Sequence, residues 1–406
     1  MEEPKTGQTL TFAKSGLMPQ EEVLEVSKDK KKLTISVIKE SLKHENRVAL
    51  APHAIELLAS DGHIVWVEKE AGINAHFTDL EYSEAGGEII EDRKQLFSAD
   101  IIIKVAPPNL EEISWMRGNQ TLISSLMLSS CEYEYITALQ DKRITAVAFE
   151  FLKDNTNRVY PVTESMSEIS GSTAILIAAE YLSNANLGKG EMLGGIAGVS
   201  PTDVVVLGAA TAGEYAVRTA LGLGATVKVF DTSIERLRKL QHKIGQRFFT
   251  SIIQPRVVNK ALKTADVVIG ALPFEDHPRF MVSIDSVMQM KAYSVIVDIA
   301  IDYGGCFETS EPTTLDSPIF RKFNIVHYCV PNIPSRVSRT ASYALSNIFG
   351  PLLLDIADAG GVEKIIVENP GFRHGVYIFN GILTKESIGR RLGLPSRDID
   401  LLMAAF

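Results

Sequence analysis

The stretch VVVLGAATAGEYAVR, residues 204–218, sets Gly208 and Gly213 five positions apart at the end of an apolar, β-branched run. A strand that turns sharply into a helix needs glycine where φ is positive and where backbone lies close to a neighbour. The first turn of such a helix offers unpaired N–H groups and partial positive charge, and both suit a pyrophosphate. The pattern is a dinucleotide-binding turn, G-x-G-x-x-G, with Ala210 at the middle glycine. One methyl there asks for only a small shift of the phosphate, so the loop reads as a working one. Asp231 closes the next strand-like run, TVKVFD, near the roughly 20-residue offset at which a carboxylate grips the adenosine ribose hydroxyls. A carboxylate there favours NAD and repels the extra phosphate of NADP. Arg236 and Arg238 follow it as cations within reach of a phosphate.

These residues need a scaffold, and the chain alternates strand-like and helix-like segments from Leu33 onward. LTISVI, HIVWVEK, ADIIIKV, QTLISSL and TAVAF read as strands, and HAIELLASDG as a helix ending at Gly62. A second series, DVVVLG, TVKVFD, DVVIGAL and SVIVDIAI, is dominated by Val and Ile, as strands buried on both faces are. Such alternation predicts α/β architecture with parallel sheets. Long helices over 167–185 and 341–351 bracket the second series, and the C-terminal tail reads as helical. The layout is an N-terminal extension (1–32), a discontinuous first domain (33–164 plus 340–406) and an inserted nucleotide domain (165–339).

Length and composition bound the rest. A chain of 406 residues predicts two domains, and a net charge of −9 argues against a nucleic-acid or anionic-membrane surface. No apolar run approaches the roughly 18 residues of a membrane span. The start, MEEPKTGQTL, lacks the basic and apolar segments of a signal peptide. Cys131, Cys306 and Cys329 form no C-x-x-C pair, which suits a reducing compartment with unpaired thiols and no metal. A cytoplasmic protein is the reading.

Several stretches resemble the alanine dehydrogenase and pyridine-nucleotide transhydrogenase family: IKESLKHENRVALAP (38–52), ADIIIKVAPP (99–108), SMSEISG (165–171), VDIAIDYGGCFE (297–308) and VHYCVPNIPSRVSRTASYAL (326–345). The last and the third are closer to alanine dehydrogenase. The resemblance implies two Rossmann-like domains with the NAD domain inserted in the substrate domain. It also implies NAD-dependent oxidation of alanine to pyruvate and ammonia, and a homo-oligomer, commonly a hexamer. On matching positions it makes Arg47 the group that binds the substrate carboxylate and Lys104 the lysine beside the reacting keto or amino group. It makes Asp302 the acid facing nicotinamide and substrate, and Asn332 a neighbour of both. Ser167 becomes a hydrogen-bond partner of the cofactor phosphate, and Glu150 and Met166 become pocket walls. Asp298, inside the strand before Asp302, is a rival with a structural character.

The chain also departs from the pattern. Where the family has its general acid/base histidine, in L-H-L-A, this sequence has Met127 in LMLSS. A thioether carries no proton. K-V-K-E-P has become KVAPP, and the loop after DVVIGAL reads PFEDHPRF, whose His277 is the one histidine to watch. Proton transfer then falls to Lys104, Asp302 or a water between them, and Met127 widens the apolar side of the pocket. The competing readings are an NAD-binding or regulatory homologue without turnover, and a soluble relative of the transhydrogenase NAD domain.

Overall fold

Short runs of Ile and Val with no polar face become central strands, because both of their sides are covered by helices. The computed structural model describes residues 30–127, 131–156, 159–273 and 282–404, and His277 lies outside them. Six strands come first: β1 (Thr34–Val37), β2 (Ile64–Glu68), β3 (Glu88–Ile90), β4 (Ile101–Ile103), β5 (Thr121–Ser124) and β6 (Thr145–Ala148). Seven follow: β7 (Asp203–Leu207), β8 (Thr226–Asp231), β9 (Phe249–Ile252), β10 (Val267–Gly270), β11 (Val295–Asp298), β12 (Ile319–Lys322) and β13 (Ile325–Tyr328). The last two are β14 (Val376–Phe379) and β15 (Ile382–Leu383).

They form two sheets, in the orders β15-β14-β6-β5-β4-β1-β2-β3 and β12-β13-β11-β10-β7-β8-β9. Strands β1 to β6 pair in parallel, and so do all neighbours in the second sheet except β12 and β13. The second sheet is thus inserted between β6 and β14 of the first. In each sheet the strand order reverses direction once, between β1 and β4 and between β7 and β10. Loops leaving the carboxyl ends at such a point diverge and leave a crevice for a ligand.

Two long helices link the sheets. The outgoing one, Pro161–Ser183, begins well before the 167 that the sequence suggests, because Pro161 is suited to a first helical position. The returning one, Ser338–Asp358, runs well past 341–351 and keeps Pro351 inside it. A proline there costs about 3 kcal/mol. Burial of Leu345, Phe349, Leu353 and Ile356, at about 1.5–3 kcal/mol each, outweighs it.

The tail is not uniformly helical: β14 adds antiparallel to β6, and β15 folds back on it. Asn380 and Gly381 take φ 46° and 79°, the two left-handed positions of a tight hairpin turn, with Phe379 paired to Ile382 across it. Asn-Gly between apolar runs was the signal for this hairpin. Among the described residues no helix is long and apolar enough to cross a membrane. The three cysteines are buried and unpaired.

Candidate active site

The glycine turn lies at the reversal point of the second sheet. Gly208 has φ 113°, and a Cβ on it would stand 2.1 Å from the Ala271 carbonyl oxygen at the end of β10. Gly213 sits in the first turn of the helix Thr211–Gly222, where a Cβ would stand 2.0 Å from the Gly208 carbonyl oxygen. Ala210 caps that helix with φ −77° and ψ −174°, ordinary extended backbone that any residue adopts. The two glycines are demanded by crowding, and the middle one is not.

Asp231 is fully buried at the end of β8. Its carboxylate accepts the Ala209 and Ser233 N–H groups, both at 2.7 Å, and Nε of Arg236 at 2.8 Å. It ties the turn to β8, and Arg236 neutralises it from the rim. The outgoing helix crosses the same turn. Gly171 permits this, since a Cβ there would stand 2.1 Å from the Ala212 carbonyl oxygen. The crossing lets Glu164 accept the Thr211 hydroxyl at 2.9 Å, and Ser167 lies on this helix between Glu164 and Gly171.

Across the crevice, Arg47 lies on the irregular segment after β1. Three serines one turn apart on the returning helix hold that segment and the turn after β2. Ser338 donates to the Asn74 carbonyl, Ser342 accepts the Val48 N–H at 2.9 Å, and Ser346 accepts the Ala51 N–H at 2.6 Å. Just before them Ser335 accepts the Asn46 N–H at 2.8 Å. The guanidinium makes a fork with Glu45, Nε to Oε1 at 2.7 Å and Nη2 to Oε2 at 2.6 Å. Nη1 is left toward the sulfur of Met166, 3.4 Å away.

Glu45 joins the domains as well. Asn332 Nδ2, from the nucleotide side, donates to its Oε2 at 2.9 Å, while the Asn332 N–H points to Asp302 Oδ2 at 3.4 Å. Asn332 reaches both through a left-handed backbone, φ 56°, which asparagine tolerates. Burial within the crevice lifts the Asp302 carboxyl above its usual range, against the Asn332 N–H and Arg47. Arg47, Glu45, Asn332, Asp302 and Met166 thus meet in one place. Asp298 does not join them. It is fully buried and accepts the Cys306 N–H at 2.7 Å and the Ser310 hydroxyl at 2.6 Å, so its character is structural.

Lys104 follows β4 as expected, but it is fully buried rather than at an open rim. Its ammonium sits 2.9 and 3.2 Å from the two oxygens of Glu112, which also pairs with Arg93. Glu112 is the third residue of a capping box begun by Asn109. Burial acts to raise its carboxyl, but Lys104 and Arg93 overcome this and hold it low.

Glu40 completes the group, accepting the Val105 N–H at 2.6 Å and the Ala106 N–H at 3.2 Å. Burial pushes its carboxyl up to about 7, against the pull of Lys104. A carboxyl raised above the unfolded value of about 4.3 gives stability that is full below that value and is lost as pH rises through about 7. Glu40→Gln removes that loss. Its melting temperature relative to wild type should therefore be higher at pH 8 than at pH 5. An equal difference in melts at the two pH values would contradict this.

Met127 closes the circuit after β5. It is 41% exposed and has φ 48°, a conformation costing a non-glycine residue about 1–2 kcal/mol. Strain of this kind gathers at functional sites. Glu150 lies beneath it and accepts the Leu126 N–H at 2.8 Å. The sequence reading missed Glu45, Glu112 and Glu164. The first two precede or follow their partners closely, at Arg47 and Lys104, and an acid near a site cation was the available signal.

A dinucleotide turn facing a charged crevice from a second α/β domain defines a two-domain nucleotide-binding protein. The chain matches the family models for the alanine dehydrogenase/PNT N-terminal domain over residues 36–170 and C-terminal domain over residues 174–386. It is 39% identical over 367 residues to an alanine dehydrogenase of Methanococcus maripaludis, covering 89% of this chain and 97% of that one. It is 40% identical over 364 residues to the alanine dehydrogenase of Bacillus subtilis, covering 89% and 95%. A solved L-alanine dehydrogenase shares the fold with a TM-score of 0.81 at 33% identity, over 88% of this chain and 98% of that one. The chain belongs to the alanine dehydrogenase/PNT family.

Proposed function

We propose that this chain oxidises L-alanine to pyruvate and ammonia with NAD, as a cytoplasmic homo-oligomer, hexameric by family resemblance. Residues 33–164 plus 340–406 form its substrate domain and 165–339 its NAD domain. The observation that carries the reading is the junction of Arg47, Glu45, Asn332 and Asp302, which joins a carboxylate-binding cation to an acid across the crevice.

The residues present fit NAD. Gly208 and Gly213 let the turn close tightly on the backbone around it, which a Cβ at either would prevent, and the helix Thr211–Gly222 begins at that turn with its N-terminus. Backbone from Gly208 through Ala210 to Gly213, with Ser167, would hold the pyrophosphate. Asp231, Arg236 and Asn332 would hold the ribose and nicotinamide ends. When bound, NAD supplies the hydride acceptor. Arg47 anchors the substrate carboxylate through Nη1, because Glu45 fixes the rest of the fork. Asp302 steadies the positive charge that grows on the substrate nitrogen. Met127 forms the apolar wall, with Met166. Lys104 acts at one remove, setting the field at the floor of the crevice through its pair with Glu112.

Met127 at the histidine position and the closed Lys104–Glu112 pair favour a second reading, an NAD-binding homologue without turnover. One assay separates the two. Purified protein is mixed with NAD or NADP and a panel of amino acids, and reduced cofactor is followed by absorbance. Alanine should be turned over. NAD should bind at least about tenfold tighter than NADP, since a buried carboxylate meets the extra phosphate. Asp231→Ala should narrow that ratio. Turnover of another amino acid but not alanine would end the substrate assignment. Equal binding of NADP would end the role given to Asp231.

A further inference from the structure

An amino-acid oxidation needs a group that takes a proton from nitrogen, and the sequence-matched residues leave this task unfilled. Met127 has no proton to exchange. Lys104 is buried and engaged by Glu112. The fold offers another group. Strands β5 and β6 are parallel neighbours with Ser124 opposite Ala148. Two residues beyond each lie Leu126 and Glu150, at the carboxyl edge that faces the crevice. A 3-10 turn, Phe149–Phe151, turns Glu150 toward position 126, and the Thr163 hydroxyl fixes it by donating to the Glu150 carbonyl at 3.1 Å.

Oε1 accepts the Leu126 N–H at 2.8 Å, whereas Oε2 is buried with no hydrogen-bond partner among the described residues. A buried unsatisfied carboxylate oxygen costs free energy, and native proteins keep such an atom where it has work to do. It lies one residue from Met127, the position given to the histidine.

We propose that Glu150 is the group that takes the proton from the substrate's α-amino nitrogen; this rests on the oxidation proposed above. The Glu150 carboxylate accepts one proton from the α-ammonium group. The N–H bonding pair stays on nitrogen as a lone pair. The Cα hydrogen then leaves with its bonding pair to the hydride acceptor, NAD, as the lone pair forms the C=N bond. The proton on Glu150 returns to solvent. In the hydrolysis that follows, the same carboxylate carries a proton from the attacking water to the departing nitrogen.

Burial holds the Glu150 carboxyl above the ordinary carboxylate range, against the N–H groups of Leu126, Glu150 itself and Met127. Three phenols share its field: Tyr135 from the helix Tyr133–Asp141, Tyr377 from β14, and Tyr303 beside Asp302 on the nucleotide side. All three are themselves raised, first by burial, and stay neutral across the working range. Because Glu150 must be ionised to accept a proton, alanine oxidation should fall as pH drops through its raised pKa.

The test uses the full chain with Glu150→Gln, which keeps an acceptor for Leu126 and loses the basic oxygen. Its kcat for alanine should fall about a hundredfold or more, and the acid limb of kcat/KM against pH should vanish, with NAD affinity unchanged. Glu150→Asp should keep the limb. Adding Met127→His to Glu150→Gln should raise kcat at least about tenfold and bring in a limb near the imidazole value of about 6.5. Infrared titration of the cofactor-free protein gives a readout apart from turnover. Glu40 and Asp302 also ionise above the ordinary range and are present in both proteins, so wild type should show one such carboxyl more than Glu150→Gln. If Glu150→Gln does not fold, Glu150→Asp carries the decision, through its acid limb and through the one raised carboxyl that it shifts in the infrared titration relative to wild type. A Glu150→Gln enzyme within about threefold of wild type, or one keeping the acid limb or every raised infrared carboxyl of wild type, overturns the assignment alone. Wild type that binds NAD yet turns over no amino acid overturns the dehydrogenase reading itself, and Glu150's role with it.

Discussion

Arg47→Met should lower kcat/KM for alanine about a thousandfold, mainly by raising KM. The substrate carboxylate loses the two N–H groups of Nη1, charge-assisted donors worth about 1.5–3 kcal/mol each, and about 4 kcal/mol corresponds to a factor of a thousand. The same change also strikes the fold. Glu45, with 3% of its side chain exposed, loses both arms of its fork and keeps only neutral donors, the residue-47 N–H and Asn332. Removing one partner of a buried pair costs about 3–5 kcal/mol, a large part of a domain's stability. The two losses separate cleanly. Glu45→Gln with Arg47→Met leaves no unpaired charge and should recover most of the melting temperature, but none of the substrate affinity. Arg47→Lys keeps the charge and loses the fork, so it should fall between. Steady-state kinetics and thermal melts on the four proteins decide the matter. A KM for Arg47→Met within about threefold of wild type would remove Arg47 from the substrate site.

Much of this arrangement was legible in the chain, for definable reasons. Strands β4 and β10 are short runs with no polar side chain, β1 and β7 are dominated by Ile, Val and Leu, and burial on both faces leaves no other structure for them. The glycine turn was legible because its demands are local: two positions crowded by backbone within a dozen residues. Asp231 was found by its spacing, but its work of tying Ala209, Ser233 and Arg236 together appears only when β7 and β8 lie side by side. Arg47 and Lys104 could be named by resemblance, and their partners could not. Arg47 is set by Asn332, nearly three hundred residues away, through Glu45. Lys104 is set by Glu112, which looks like an ordinary capping-box glutamate from sequence alone. Glu150 was read as a wall, because nothing in TAVAFEF shows that one of its oxygens lacks a partner among the described residues. The C-terminal hairpin was missed although Asn380-Gly381 announced it, since apolar periodicity in a short run does not separate strand from helix.

Gly213→Ala should weaken NAD binding about a hundredfold or more, while Ala210→Gly should change it by less than about threefold. The contrast follows from geometry at two residues three positions apart in one loop. A Cβ at 213 would meet the Gly208 carbonyl oxygen at 2.0 Å, well inside van der Waals contact, and backbone cannot swing away as a side chain does. The helix Thr211–Gly222 must then lift from the turn. Its N–H groups move off the phosphate position, and a displacement of about 1 Å is enough to lose aligned hydrogen bonds. Ala210 has φ −77° and ψ −174°, so glycine there relieves no strain and only adds freedom to the unfolded chain, at a cost of about 0.5–1 kcal/mol in stability. Gly208→Ala should resemble Gly213→Ala, with left-handed backbone at φ 113° and the Ala271 carbonyl at 2.1 Å both opposing a side chain. Calorimetric titration of NAD into the three variants measures this directly, and circular dichroism shows whether each is folded. Tight NAD binding by a folded Gly213→Ala would mean that the pyrophosphate lies away from this turn. A large loss in Ala210→Gly would mean that the methyl takes part in holding it.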